Sequence, residues 1–426
     1  MSVKHVVFLE TNARAAIASI ETVKTQLGHR VTFITSDLAY YLEGRPLEQT
    51  PLRFADRIIE VADGGSVEAV WPHVERLHGE HAIDAFFSFA GIYAAMAASL
   101  ARRLGVPHLD PEAAHRASNK ALARRAMADA GIEQPAFLSV DDTANLDEAR
   151  AFCRRVGYPL IAKPDDGSSK ELVRLIHDDG ELAEQAAAVG ARAAWGCGRA
   201  SSKRLLLEEF VTGPLVSVET VTLAPGRHVL LGITDRLVSE PPYFVELGGS
   251  FPAAIPGQEA AFELVERALD AIGYDFGPAH TEIILSPDGP RIVEINPRLA
   301  GGVVPDMIDA TRGGSIFLDV VRLFLGEEVD WRAETRGVAT IRAFQAPRRG
   351  TLRGVAPSPR ASDGRVLRYQ IVKKEGDSVR PPQDNLDRLG FLVVLEKDQE
   401  RSRRLADELL AETLFSIGAG AGGGLS

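Results

Sequence analysis

The chain is poor in thiols: Cys153 and Cys197 are its only cysteines among 426 residues. Two thiols cannot build a disulfide framework or a cysteine metal cluster, and they suit a reducing cytoplasm. Long apolar runs are missing as well. Val6-Val7-Phe8-Leu9 is too short for the core of a signal peptide, and no stretch is long enough to span a bilayer. Positive charge is in deficit, with 48 Lys and Arg against 59 Asp and Glu and a net charge of -11. That balance disfavours non-specific binding to nucleic acid or an anionic membrane surface, yet it leaves local phosphate sites open. Two nucleotide signatures are absent. Glu10-Thr11-Asn12-Ala13 stands where a Gly-x-Gly-x-x-Gly turn would follow the first strand, which argues against a dinucleotide site. No Gly-Lys-Ser/Thr opens a helix, so there is no Walker loop. No Ser/His/Asp or Cys/His arrangement for a covalent nucleophile is visible.

What is present is ordinary globular composition, 45% hydrophobic and 25% charged. The length exceeds one ordinary core and implies two to four domains. Residues 3–9, 12–27 and Val31–Thr35 read as strand, helix and strand, a βαβ start that implies a parallel sheet. Ile58–Val61 and Ala85–Phe89 add strands, so residues 1–110 form a small doubly wound α/β domain. Asp110-Pro111-Glu112 is a helix start, an N-cap acceptor followed by proline, and the helix runs towards Ala130 and stops at Gly131. Strands and helices mix from there to about residue 335. Residues 338–395 are strand-rich, and a last helix covers roughly Gln399–Phe415. The glycine-rich residues 417–426 read as a disordered tail.

The most informative segment is a hairpin. His280-Thr281-Glu282-Ile283-Ile284-Leu285 and Arg291-Ile292-Val293-Glu294-Ile295-Asn296 flank the turn-rich Ser286-Pro287-Asp288-Gly289-Pro290. Symmetric closure about Asp288 sets Glu282 opposite Glu294 and His280 opposite Asn296. Period two then puts these four on one face and Ile283, Leu285, Val293 and Ile295 on the other. Like charges opposed across a ladder repel unless a cation lies between them. Two carboxylates and an amide oxygen are hard ligands that suit Mg²⁺. The alternative is an exposed face of solvated acids.

Pro159-Leu160-Ile161-Ala162-Lys163-Pro164 is a strand ending in lysine, followed by Asp165-Asp166-Gly167-Ser168-Ser169-Lys170 and a further strand at Glu171–Ile176. A Gly-Ser tip offers free N–H groups and hydroxyls to phosphate, and Lys163 adds a point charge. Such a tip is also an ordinary turn. Lys120, after Ser118-Asn119, is by itself an ordinary helix lysine. Arg204–Val211 passes from an apolar strand into Glu208-Glu209-Phe210-Val211, a connector whose backbone can meet an adenine edge. Glu219 lies on another strand and is ambiguous alone.

In order, Ser118-Asn119-Lys120, Lys163-Pro164, the Gly-Ser loop, Glu208-Glu209-Phe210-Val211, Ser217-Val218-Glu219, His280-Thr281-Glu282 and Glu294-Ile295-Asn296-Pro297-Arg298 resemble the ATP-grasp superfamily. The resemblance covers about residues 5–415 and looks nearest to carboxylate-amine ligases, including the L-amino-acid (dipeptide) ligases, which share His-Thr-Glu before the first metal carboxylate. It implies an α/β and α+β multidomain chain with an ATP-grasp fold. The N-terminal domain is then 1–110, the small subdomain 111–200, the large subdomain with the metal hairpin 201–335, and the strand-rich C-terminal lobe 336–416.

By the same resemblance, Lys120 and Lys163 meet the α- and β-phosphates of ATP, and loop 166–170, with Gly167, Ser168 and Ser169, closes over them. Glu208 meets the adenine amino group, and the backbone of Glu209 and Val211, beside Phe210, meets its edge. Glu219 lies near the ribose or the lysines. Glu282, Glu294 and Asn296 hold Mg²⁺ (or Mn²⁺), and Arg298 meets phosphate or the substrate carboxylate. The loop departs from many relatives in having one glycine where they have two. The implied reaction is carboxylate phosphorylation followed by attack of an amine, inside a site closed by 166–170 and 240–250. Gly301 and Gly302 either leave room for a substrate side chain or only serve a turn. The expected partners are small-molecule carboxylates and amines, with neither nucleic acid nor membrane, and a homodimer is the expected assembly. The other readings are a purine-pathway or biotin-carboxylase-type ligase and an inactive nucleotide-binding regulator.

Overall fold

The structure is a computed structural model that describes residues 2–11, 14–167, 170–195, 200–331 and 334–418. Ser168, Ser169 and the tail from residue 419 onward lie outside the described residues. Four parallel strands open the chain, in the order Arg57–Glu60, Arg30–Thr35, His5–Leu9, Ala85–Phe87. His5–Leu9 is buried throughout, as an apolar strand covered on both faces must be. The strand order reverses at His5–Leu9, so the crevice beyond the carboxyl ends of His5–Leu9 and Ala85–Phe87 is the topological switch point. That crevice faces the rest of the molecule: a Cβ on Gly91 would sit 3.3 Å from Arg298 Nε.

The single helix expected from Asp110 to Ala130 is two helices, Pro111–Ser118 and Lys120–Asp129. Asn119 is extended, and its side chain accepts from the Leu122 N–H, so a short polar residue caps a second helix rather than continuing the first. The break makes Lys120 the first residue of the new helix.

An antiparallel sheet follows, ordered Phe137–Val140, Leu205–Glu209, Leu160–Pro164, Arg174–Ile176. The strand expected at Glu171–Ile176 begins only at Arg174, because Lys170 (φ 61°) and Leu172 (φ 54°) turn left-handed. A second antiparallel sheet is ordered Arg227–Asp235, Leu215–Ala224, Gly277–Ser286, Gly289–Asn296. The C-terminal lobe holds a five-stranded sheet, Leu237–Val238, Glu246–Phe251, Val338–Phe344, Gly390–Glu396, Val366–Ile371, and a three-stranded one, Ser378–Val379, Gly350–Ala356, Leu414–Gly418.

Two sequence expectations change here. Glu246–Phe251, expected in a closing segment, is a strand paired to Val338–Phe344, so only the residues before it form a loop. The last helix is Gln399–Glu412, and Leu414–Gly418 pairs as a strand across the residues where the tail was expected to begin.

One apolar cluster joins the N-terminal sheet, the helices Val304–Arg312 and Ile316–Phe324, and the C-terminal sheet. Phe324 stacks on Phe87 with centroids 4.6 Å apart. Seven of the nine residues of Ile316–Phe324 are buried, each large apolar side chain contributing about 1.5–3 kcal/mol relative to exposure. Among the described residues no helix is long and apolar enough to cross a membrane.

Candidate active site

The hairpin Gly277–Ser286/Gly289–Asn296 sets His280 opposite Asn296, Thr281 opposite Ile295 and Glu282 opposite Glu294, the register symmetric closure predicts. Beyond Glu282 the register slips by one, and Ile283 pairs with Ile292. The turn is Pro287-Asp288 alone, closed by Gly289 at φ 109° and by Ser286 Oγ donating to Gly289 O at 2.6 Å. A tighter turn leaves one residue over, and Val293 absorbs it as a bulge. Val293, expected under the sheet with Ile283, instead lines the cavity, while Ile292 takes the buried position.

The opposed carboxylates are neutralised from the small subdomain. Lys170 Nζ lies 2.8 Å from Glu282 Oε2, and Lys120 Nζ lies 3.3 Å from Glu294 Oε2. Asn296 Nδ2 donates to Glu294 Oε1 at 3.0 Å. Burial pushes both carboxyls up, and the cations overcome it. Lys170 leads in holding Glu282 well below the ordinary carboxylate value, and Lys120 leads in holding Glu294 at about 2. Among the described residues no three His, Cys, Asp or Glu side chains gather as a metal centre. The donor set on this face is two carboxylates and the Asn296 amide oxygen, the last of which accepts from Arg298 Nη2 at 3.3 Å.

Lys120, Lys170, Glu282 and Glu294 line a cavity of about 580 Å³ bounded by the small subdomain, the hairpin and the C-terminal lobe, and Asn296 is not among its lining residues. Lys163 and Glu208 are buried in its wall, Nζ to Oε2 at 2.7 Å. Arg124, 1% exposed, completes the set with Nε donating to Glu208 Oε1 at 2.9 Å. The same guanidinium donates to Ile292 O at 2.7 Å and Val293 O at 3.1 Å, so it ties the helix Lys120–Asp129 to the hairpin. Burial favours a neutral Glu208, yet Arg124 and Lys163 hold its pKa below the ordinary value. Its carboxylate is thus already held by two cations, and the Glu209 N–H donates to Ala136 O at 2.8 Å, which leaves the backbone of Phe210 and Val211 as the polar edge of the connector. Glu209, Phe210 and Val211 all line the cavity.

Lys120 Nζ also donates to Gly167 O at 2.9 Å. Asp166, expected in the mobile loop, is part of its fixed base, accepting from Trp195 Nε1 at 3.0 Å and from the Ser202 N–H at 2.9 Å. Gly167 packs so closely that a Cβ would lie 3.2 Å from Pro164 Cβ.

Glu219 does not line the cavity. It is buried behind His280, which donates from Nδ1 at 2.9 Å, and it accepts from Ser217 Oγ at 2.8 Å. Nε2 of His280 accepts from Arg236 Nη2 at 3.1 Å. Arg236 continues to Glu246 Oε1 at 3.3 Å and Glu282 Oε1 at 3.6 Å. Arg298 lines the cavity with Gly301 and Gly302, its Nη1 on Leu299 O at 2.8 Å and Nη2 on Asn296 Oδ1 at 3.3 Å.

The sequence reading missed Arg124, Arg236 and Arg388, and it had Glu246 only as part of the closing segment 240–250. Arg124 had a signal: it lies four residues after Lys120 on one helix, hence on the same face. Arg236 and Arg388 had none, and nothing local tied Glu246 to them, because only the fold brings these strands and the loop together.

Residues 117–302 match the family described as ATP-grasp domain, and residues 342–418 match L-amino acid ligase C-terminal domain 2. The uncharacterized protein y4rH of Sinorhizobium fredii is 30% identical over 366 residues, covering 84% of this chain and 73% of that one. Carnosine synthase 1 of Gallus gallus is 30% identical over 260 residues, covering 57% of this chain, which spans only 27% of that protein. The L-amino acid ligase of Bacillus licheniformis shares the fold with a TM-score of 0.80 at 21% identity, over 98% of this chain and 100% of that one. Phosphoribosylglycinamide synthetase of Anaerococcus prevotii superposes with a TM-score of 0.69 at 15% identity, over 98% of this chain and 100% of that one.

Proposed function

The chain belongs to the ATP-grasp ligases, and from that premise we propose that it joins a carboxylic acid to an amine, both amino-acid-like, with ATP converted to ADP and phosphate. The observation that carries this reading is the facing pair Glu282 and Glu294 in a cavity that Lys120, Lys163, Lys170 and Arg298 also line. Lysine-balanced carboxylates beside a phosphate-sized basic cluster suit a nucleotide and its divalent cation. The likeness to an L-amino acid ligase and to carnosine synthase supports amide formation and amino-acid substrates.

The facing carboxylates of Glu282 and Glu294 fit Mg²⁺ as hard oxygen donors on one hairpin face, and Asn296 would join them once Arg298 releases its Oδ1. When bound there, Mg²⁺ supplies charge neutralisation for the transferring phosphoryl group. Lys120 and Lys163 hold the phosphates of ATP, and Lys170 leaves Glu282 to cover them. The backbone of Phe210 and Val211 takes the adenine edge. Arg298 orients the acid by its planar fork, so that a carboxylate oxygen attacks the γ-phosphorus in line. The amine nitrogen then attacks the acyl carbon of the acylphosphate, the carbon–oxygen bond to phosphate breaks to release inorganic phosphate, and the nitrogen gives up a proton as the amide forms. The segment Glu240–Val245, anchored by Pro242 O accepting from the Leu175 N–H at 3.1 Å, helps exclude water from the acylphosphate. The protein works on dissolved small molecules in the cytoplasm, with neither nucleic acid nor membrane as partner. Release of ADP over paired L-amino acids tests the reading: stimulation by specific pairs supports it, and ATP turnover indifferent to every pair overturns it.

A further inference from the structure

Seven cationic side chains line the cavity. Lys120, Arg124, Lys163, Lys170 and Arg236 each lie within salt-bridge distance of a carboxylate. Arg298 and Arg388 are the two for which no such partner appears among the described residues. Arg298 already has a place in the reaction. Arg388 does not, and it comes from the C-terminal lobe, beyond the segment that matches the ATP-grasp domain.

Arg388 is held in a fixed pose. Its Nε donates to Asn385 O at 2.8 Å, and Nη1 donates to Glu246 O at 3.3 Å. Asn385 Oδ1 in turn accepts from the Glu246 N–H at 2.9 Å, so the loop and the strand Glu246–Phe251 lock each other. Two of the nitrogens are thus anchored to neutral carbonyls, and no carboxylate lies at salt-bridge distance among the described residues; Glu246 and Asp384 act on the charge only from farther away and do not offset its burial. Burial disfavours the charge on Arg236, Arg298 and Arg388 alike. Glu246 and Glu282 more than offset it at Arg236, whereas Arg298 and Arg388 stay below the ordinary arginine value. A half-buried cation anchored only by neutral groups, facing a cavity, is a place for an anion.

That anion is not the nucleotide phosphate of the hairpin. The chain of contacts Glu282–Arg236–Glu246 stands between the hairpin carboxylates and Arg388. Asn385 and Leu386, three and two residues before Arg388, line the cavity, as do Ile341 and Ala343 of the same lobe, a mixed lining suited to an organic acid. We propose that Arg388 binds a second substrate carboxylate, distinct from the one that is phosphorylated, and so makes the C-terminal lobe a determinant of substrate choice. This rests on the ligase reading above. The carboxylate has two sources: the α-carboxylate of an amino acid serving as amine, or a further carboxylate on the acid.

The test compares wild type, Arg388→Gln and Arg388→Lys. Gln keeps donors for the backbone carbonyls and removes the charge. ADP release is measured with a productive pair of L-amino acids, then with the amine member replaced by its amide, then with the acid member stripped of any second carboxylate. Direct calorimetric titration of the same free and amidated amino acids into the protein with Mg-ADP reads binding without turnover. The expected result is that one of the two replacements raises KM about 10- to 100-fold in wild type. The replacement that does so names the source. Arg388→Gln abolishes that discrimination, Arg388→Lys restores part of it, and KM for ATP is unmoved. A merely structural Arg388 would shift all substrates together. If Arg388→Gln keeps the full wild-type preference for both carboxylates, the subsite is overturned. Silence towards every pair, with charge-dependent amino-acid binding intact in the titration, would instead overturn the ligation reading and leave the subsite standing.

Discussion

Replacing Glu208 by Gln isolates the most deeply buried charges of the site. Glu208 lies between Lys163 Nζ at 2.7 Å and Arg124 Nε at 2.9 Å, and all three side chains are about 5% exposed or less. The trio carries one net positive charge. Removing the carboxylate leaves two cations facing each other with no counter-ion. Breaking a buried ion pair by deleting one partner costs about 3–5 kcal/mol. Arg124 keeps its bonds to Ile292 O and Val293 O, so the hairpin stays attached and the loss is mainly electrostatic. Without ligand, Glu208→Gln should therefore lower unfolding free energy by about 3–5 kcal/mol in a denaturant titration. Mg-ATP should restore a larger share of stability to the variant than to wild type, because phosphate charge replaces the lost anion. If Glu208 served only an adenine amino group, as the sequence resemblance implied, nucleotide affinity would fall and ligand-free stability would not. A ligand-free change below about 1 kcal/mol would refute the buried-triad account.

Glu282→Gln should reduce amino-acid-dependent ADP release by more than about 100-fold, and it should lower the ligand-free melting temperature, since Lys170 and Arg236 lose their shared partner; a rise in melting temperature would mean that repulsion between Glu282 and Glu294 dominates. Glu294 has its folded pKa depressed from 4.5 to about 2, so its contribution is present above the unfolded value and is lost as pH falls through that window; Glu294→Gln should flatten this part of the stability–pH curve, and an unchanged slope would contradict the assignment. Gly302 sits at φ 63°, where any side chain is strained, whereas a Cβ on Gly301 would meet only Arg298 Nη1 at 3.8 Å. Gly301→Leu should therefore shift acid preference towards smaller acids with ATP affinity intact, and an unchanged ranking of acids would place the acid pocket elsewhere.

Much of the site was legible because its carriers are local. Period two on a hairpin sets Glu282 against Glu294 whatever surrounds it, and the structure keeps that pairing. The bulge at Val293 was not legible, since it depends on whether the turn closes over two residues or five. The helix break at Asn119 was written as an N-cap residue but hidden by a continuous helical pattern on both sides. Long-range partners were the real loss. Arg124 reaches hairpin carbonyls 168 and 169 positions away, and Arg388 meets Glu246 only because a strand from the middle of the chain pairs into the C-terminal sheet. No local pattern encodes such a pairing.

The central claim is that a carboxylate is phosphorylated before the amide forms, and isotope transfer tests it most directly. The acid substrate is labelled with ¹⁸O in its carboxylate and turned over with ATP and the amine in unlabelled water. Phosphate carrying one ¹⁸O atom, released together with ADP, is the expected result. Unlabelled phosphate, or release of AMP and pyrophosphate, would contradict it.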